Sequence, residues 1–118
     1  MNILVCGTRT AQCADKIFER LESLPSDGDD DVLVVAGGGP GPDTDAVNIA
    51  TGLGYATRTY YADWKAHGRA AGPIRNQKML DDWKFDIVLA FWDGKSPGTR
   101  DMIQRAERAG LKVEIVKP

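Results

Sequence analysis

Five short segments, two of them unbroken apolar runs, are spaced along the chain and predict the strands of a sheet. They are Ile3–Cys6, Val32–Ala36, Tyr55–Tyr61, Asp86–Phe91 and Leu111–Val116. The first two runs contain no polar side chain, which is typical of strands buried on both faces. Strands of this kind belong to parallel sheets that helices cover on both sides.

Between these runs, apolar residues recur at helical spacing and predict four helices. Their inward-facing residues are Ile17, Leu21 and Leu24, with Phe18 beside them; Ala46, Val47, Ala50 and Leu53; Met79, Leu80 and Trp83; and Met102, Ile103, Ala106 and Ala109. We expect Asp43 or Thr44 to cap the second helix, and Ser96 with Pro97 to open the last.

Two longer segments have no such periodicity. The acidic stretch Pro25–Asp31 lacks the ligand order of a calcium loop and predicts a solvated turn. Residues Ala62–Pro73 are expected to form a loop, followed by the third helix over Ile74–Trp83. This boundary places Arg75 in a first helical turn, where the helix dipole disfavours a positive charge.

Strands that alternate with helices five times predict a single α/β domain over residues 1–118, with a doubly wound, mostly parallel five-stranded, Rossmann-like sheet. Ligands of such folds bind outside the carboxyl ends of the strands, where the strand order reverses. Four segments are therefore candidates for the binding site: Gly7–Arg9, Gly37–Asp43, Ala62–Arg75 and Trp92–Thr99.

Composition narrows the possible ligands. The net charge of −2 and the pI near 5.3 do not favour a large polyanion such as duplex DNA, so an anionic ligand must be held locally.

Cys6 and Cys13 have no metal-ligand spacing, and we expect two reduced thiols in or near the core. Without a basic leader before Ile3 or a membrane-spanning apolar segment, we expect a cytoplasmic protein.

The glycine-rich segment Gly37-Gly38-Gly39-Pro40-Gly41-Pro42-Asp43 connects a buried strand to a helix. A turn of this kind brings backbone N–H groups close to an anion, and the helix dipole adds partial positive charge. The spacing matches neither G-x-G-x-x-G nor a P-loop. Phosphate binding is the favoured interpretation, and a simple tight turn is the alternative.

A second helix start, Ser96-Pro97-Gly98-Thr99, has a hydroxyl on each side of a glycine. A simple cap explains Ser96 but not the glycine in the first turn, where it costs about 1 kcal/mol. Arg9 and Arg75 are candidates to bind a phosphate bidentately, with salt bridges as their alternative.

The stretch from Asp63 to Arg69 combines an acid, the indole of Trp64 and the single histidine, His67. Trp64 suits stacking on a base, and equally a place in the core or at a subunit interface. His67 lacks the partners of a catalytic triad or a metal site, and we predict no metal.

These motifs, taken in order, resemble the YspA-type branch of the SLOG superfamily, which also contains the DprA/Smf proteins and the LOG phosphoribohydrolases. The resemblance spans nearly the whole chain and rests on five pieces: Gly7-Thr8-Arg9, Gly37 to Asp43 with Ala46, Ala62-Asp63-Trp64 with Gly68 to Gly72, Arg75-Asn76 with Met79, and Ser96-Pro97-Gly98-Thr99. It implies a Rossmann-like fold of phage or bacterial type that binds a nucleotide, or an ADP-ribose-like molecule, at these residues.

The resemblance leaves three functions open. The LOG motif continues Gly-Thr-x-x-Glu, whereas this chain has Met102 at the glutamate position and Asp101 beside it, about 100° away around the helix. We therefore favour a sensor or sequestering module over a hydrolase, for which Asp63 and Asp101 are the weak catalytic candidates. Binding of single-stranded nucleic acid, as in DprA relatives, is the least favoured because the chain is acidic. A homodimer or higher homo-oligomer is expected, and a membrane partner is not.

Overall fold

The computed structural model describes residues 1–24 and 32–118, so the predicted turn Pro25–Asp31 lies outside the described residues. Its strands are β1 (Asn2–Gly7), β2 (Leu33–Gly37), β3 (Ala56–Tyr60), β4 (Ile87–Phe91) and β5 (Val113–Val116). They form one sheet in the order β3-β2-β1-β4-β5, and every neighbouring pair is parallel. The predicted doubly wound, Rossmann-like α/β fold is confirmed.

Among the described residues, five α-helices connect these strands: α1 (Ala14–Glu22), α2 (Pro42–Gly52), α3 (Trp64–His67), α4 (Ala71–Asp82) and α5 (Pro97–Arg108). Helices α1 and α2 cover one face of the sheet, and α4 and α5 cover the other. Alternate residues of β1 supply the two cores: Ile3 packs on the α1–α2 side, and Leu4 packs on the α4–α5 side. Burial on both faces explains the unbroken apolar runs.

The segment Ala62–Pro73, which we expected to be a loop, is largely helical. It contains α3, a 3₁₀ turn at Gly68–Ala70 and the start of α4. Pro73 does not mark the start of the helix because it lies in the first turn of α4, where backbone N–H groups have no intrahelical acceptor. Arg75 consequently lies in the second turn, and the argument from the helix dipole does not apply to it. The helix ends at Asp82, so Trp83 is outside it.

The predicted caps of α2 are also wrong. The N-cap residue is Gly41, with φ 75° and ψ −133°, and Pro42 is the first helical residue. Thr44 instead donates its hydroxyl to the Gly39 carbonyl at 2.8 Å. The start of α5 follows the prediction, with Ser96 at the N-cap position and Pro97 next, although the Ser96 side chain makes no capping hydrogen bond.

Both cysteines are free thiols and buried, as predicted, with Cys6 on β1 and Cys13 preceding α1. Burial is the main cause that raises the pKa of each thiol. None of the described helices is long and apolar enough to cross a lipid bilayer.

Candidate functional site

A cleft of about 720 Å³ opens at the carboxyl edge of the sheet, beside the point where the strand order reverses from β1 to β4. This volume lies within the range of small-molecule sites. Twelve of the predicted ligand-binding residues line it: Gly7, Thr8, Arg9, Gly37, Gly39, Asp43, Trp64, Arg75, Asn76, Ser96, Gly98 and Thr99. The fold thus brings residues from four separate segments to one cavity.

Three predicted site residues are not among those that line the cleft. Gly38 packs beneath Tyr61, and a side chain there would collide with that ring rather than with a phosphate. Gly41 packs against the backbone carbonyl of Arg9. Asp63 caps α3 by accepting the Ala66 N–H at 3.1 Å, which gives it a structural role.

Arg75 extends from α4 across the end of β2. Its Nη1 donates to the Tyr60 carbonyl at 3.3 Å, and its Nε donates to Asn76 Oδ1 at 3.1 Å. Its guanidinium lies against Gly37, so that a Cβ at this glycine would collide with it. Burial is the largest influence on its pKa and lowers it, whereas the Asp43 charge raises it. A guanidinium has five N–H donors, and two bonds leave donors for a ligand.

Arg75 does not form the salt bridge that was the alternative explanation for it. Within residues 1–24 and 32–118, the ion pairs are Arg20–Glu114, Lys78–Asp82 and Arg105–Asp101.

Asp43, in the first turn of α2, lies on the floor of the cleft and is only 9% exposed. Its Oδ1 is buried and has no hydrogen-bond partner. Burial raises the pKa of this carboxyl to about 7, while the charges of Arg75 and Arg9 and the backbone of Gly39 act in the opposite direction. The carboxyl group therefore occupies the start of α2, where we expected a phosphate.

The start of α5 is built differently. The Asp93 carboxylate accepts the backbone N–H groups of Lys95 and Ser96, each at 2.8 Å, and these bonds lower the Asp93 pKa. The backbone N–H of Asp93 donates to Thr8 Oγ1 at 3.1 Å, which ties the loop to the end of β1. No atom lies within 4 Å of the position of a Cβ on Gly98. A fixed loop thus presents an open first turn to the cleft.

Trp64 forms one wall of the cleft and is half exposed. The Arg9 guanidinium carbon lies 5.7 Å from the centroid of its ring, within the range of a cation–π contact. This exposure removes the core alternative for Trp64 and leaves stacking on a ligand or on a partner subunit. The homo-oligomer stays a prediction.

The LOG-like glutamate position is filled by a core residue. Met102 is 1% exposed and packs in the core on the α4–α5 side of the sheet. Asp101 borders the cleft beside Met102, and its Oδ2 accepts a hydrogen bond from Asn76 Nδ2 on α4 at 3.0 Å. Arg105 Nε also donates to Asp101, at 2.9 Å. The carboxylate at the rim is therefore already paired.

The cleft is also lined by Arg69, Asp93 and Lys95, which were not predicted as site residues. Each lies inside a segment marked as a candidate, but no motif distinguished it. In the described ranges, no three His, Cys, Asp or Glu side chains are grouped as metal ligands would be.

Comparisons with known proteins agree with this fold. No protein-family model matches the chain. The gene 61 protein of Mycobacterium phage D29 is 31% identical over 116 residues, covering 94% of this chain and 92% of that protein. The X-ray structure of DNA processing protein A (DprA) from Streptococcus pneumoniae superposes with a TM-score of 0.79 and 17% identity. The superposition covers 99% of this chain but 50% of DprA, so this chain spans half of that protein's length.

Proposed function

We propose that this chain, which belongs to the family of the gene 61 protein of Mycobacterium phage D29, binds a nucleotide or a nucleotide-derived small molecule as a sensor or sequestering module. The proposal rests on one observation. The same cleft is lined by Arg9, Arg75, Trp64 and the start of α5. The fold is DprA-like, and the ordered motifs from Gly7 to Thr99 support the finer assignment to the YspA-type branch of the SLOG superfamily.

The start of α5 is the position that we assign to the phosphate. Backbone N–H groups in a first helical turn have no intrahelical acceptor and carry the positive end of the helix dipole. The space that a Cβ on Gly98 would fill is open, so no side chain of this residue narrows the cleft there. Lys95 and Thr99 line the same part of the wall and add a charge and a hydroxyl.

Arg75 supplies the second contact to the phosphate. Its side chain is partly buried, has no ion-pair partner within 4 Å in the described ranges, and lines the cleft. A buried guanidinium with free donors is suited to bidentate binding of an anion.

The base is assigned to the exposed face of Trp64. Stacking on an indole tolerates any base, because every base presents a π face. Arg9 already lies against this ring and contributes positive charge beside it. The site therefore combines a polar end for the phosphate with an aromatic end for the base.

A thermal-shift panel of mono-, di- and cyclic nucleotides, with NAD and ADP-ribose, tests the proposal. A ligand at 100 times its Kd adds about 2.7 kcal/mol to the free energy of unfolding, which raises the Tm of a domain of this size by several degrees. The absence of any shift in a folded sample would rule the proposal out. Chromatography of the same samples for free base separates binding from hydrolysis.

Arg75→Ala locates the site. Loss of a charge-assisted contact costs about 1.5 to 3 kcal/mol, so the affinity for a nucleotide that binds the parent protein should fall by about one to two decades. Arg108→Ala is the matched control, because this exposed arginine lies at the far end of α5. Equal affinity of the parent and Arg75→Ala, measured by isothermal titration calorimetry, would place the ligand elsewhere.

A further inference from the structure

The carboxyl group of Asp43 carries an inference that rests on the proposed function and makes it more specific. We propose that Asp43 accepts a hydrogen bond from a ribose hydroxyl of the bound nucleotide, so that removal of that hydroxyl weakens binding. The acidic residue is a specificity determinant in this proposal and takes no part in bond breaking.

One oxygen of the Asp43 carboxyl group is buried and has no hydrogen-bond partner among the described residues. In the described part of the chain, Asp43 Oδ1 is the one buried side-chain oxygen or nitrogen without a hydrogen-bond partner. Buried polar groups are almost always paired in native proteins, and an exception calls for an explanation such as a ligand that supplies the missing bond. Asp43 lines the cleft, so a rotation of its carboxyl group can bring the buried Oδ1 to a ligand there.

The Asp43 carboxyl group lies in positively charged surroundings. The carboxyl group faces the positive charges of Arg9 and Arg75 and the thiol of Cys6, whose pKa it raises. A phosphate in direct contact with this carboxylate would be repelled, whereas an uncharged donor would not. Among the parts of a nucleotide, the ribose hydroxyls are uncharged donors that lie between the phosphate and the base.

The order of the assigned subsites also favours a contact between Asp43 and the sugar. The start of α5 is assigned to the phosphate and Trp64 to the base, and Asp43 lines the floor of the same cleft. Gly37 and Gly39 have no side chains beside the carboxyl group; a Cβ on them would lie 2.9 and 3.3 Å from Oδ2. The carboxyl torsion of an aspartate is broad, so a small rotation presents the unpaired oxygen to a sugar hydroxyl.

The test compares ribonucleoside 5′-monophosphates of the four common bases with their 2′-deoxy and 3′-deoxy counterparts, by isothermal titration calorimetry. For the parent protein at pH 8, where the Asp43 carboxyl is ionised, we expect at least one of the missing hydroxyls to weaken binding about tenfold or more, because a charge-assisted hydrogen bond is lost. Equal affinities for the ribose and both deoxyribose forms would overturn the inference and leave the proposed function standing. If no nucleotide of any series binds, the proposed function fails and the inference falls with it.

Two variants assign the preference to Asp43. In Asp43→Asn the charge is lost at constant shape, and in Asp43→Ala both oxygens are lost. We expect the tenfold preference to fall below about threefold in Asp43→Ala and to weaken in Asp43→Asn, with little change in affinity for the deoxy form. Asp45→Asn, on the same helix but outside the cleft lining, is the control and should keep the preference. A preference that survives in both Asp43 variants would overturn the inference, and the ribose-to-deoxyribose ratio of the parent tests it even if a variant does not fold.

Discussion

The N-terminal ends of α2 and α5 are built alike, but they differ in whether a carboxyl group of the protein occupies the first turn. Each helix follows a buried strand, and each has proline as its first helical residue. At α2 the carboxyl group of Asp43 lies in the first turn and is buried. At α5 the nearby acid, Asp93, lies in the preceding loop and binds backbone N–H groups there, so the first turn stays open. One helix start is occupied by the protein itself, and the other is available to a ligand.

This difference shows what the glycines do in each place. Around α2 they allow close packing: a Cβ at Gly7 would meet Pro42 at 2.6 Å, and one at Gly41 would meet the Arg9 carbonyl at 2.5 Å. Around α5, Gly98 has no neighbour within 4 Å of the Cβ position. A high density of glycine therefore indicates close backbone packing at α2, whereas the single glycine at α5 leaves space.

The largest expected effect follows from replacing Gly41 with alanine. Its φ of 75° and ψ of −133° are unfavourable for any residue with a side chain, and the Arg9 carbonyl occupies the space of the new methyl group. We expect Gly41→Ala to lower the free energy of unfolding by about 3 to 5 kcal/mol, measured by urea denaturation.

Gly52→Ala, at the last residue of the same helix, is the control for Gly41→Ala. It has no atom within 4 Å of its Cβ position, so it should be neutral or slightly stabilising. Similar stabilities of the two variants would show that the α2 start tolerates a side chain at Gly41.

The next effect in size is a fall in stability as pH rises from 4 to 7, which the buried carboxyl group at the α2 start should produce. The pKa of Asp43 is raised from 3.8 to about 7, so the folded protein holds a proton between these values that the unfolded chain releases. Stability is therefore greatest below about pH 4 for this group and falls as pH rises towards 7, by on the order of 4 kcal/mol.

Urea denaturation of the parent and Asp43→Asn, at a series of pH values and constant ionic strength, isolates this contribution. The variant has no proton to lose at this position, so the difference in stability between the two proteins should shift in favour of the variant as pH rises from 4 to 7.5. A difference that stays constant over this range would show that Asp43 is not buried as described.

The fold was predictable from the sequence because local patterns determine it. Unbroken apolar runs identified the strands β1 and β2, and the helical spacing of apolar residues identified α1, α2 and α5. The error at Ala62–Pro73 has a local cause as well, because Pro73 was interpreted as a boundary when a first-turn position tolerates it. Phe18 follows the helical spacing of α1 and yet is 43% exposed, since spacing gives a face only approximately.

The site was predictable only in outline. Strand order reverses beside β1, so the loops that meet there could be identified without the structure. The burial of Asp43, the pairing of Asp101 with Asn76 and the packing of Gly38 beneath Tyr61 depend on contacts between distant parts of the chain. No spacing within a single segment contains that information.

The smallest expected change in stability belongs to Gly98→Ala, and it separates the two helix starts most directly. Alanine is favoured over glycine in a helix by up to about 1 kcal/mol, and a Cβ at this position meets no atom within 4 Å. The free energy of unfolding should therefore rise by a few tenths of a kcal/mol to about 1 kcal/mol. Affinity for a nucleotide that binds the parent should fall, because the methyl group lies where the phosphate approaches the first-turn N–H groups. Urea denaturation and calorimetry on one preparation give both values. A variant that is more stable and binds as tightly as the parent would remove the phosphate from the α5 start, and the two helix starts would then differ in packing alone.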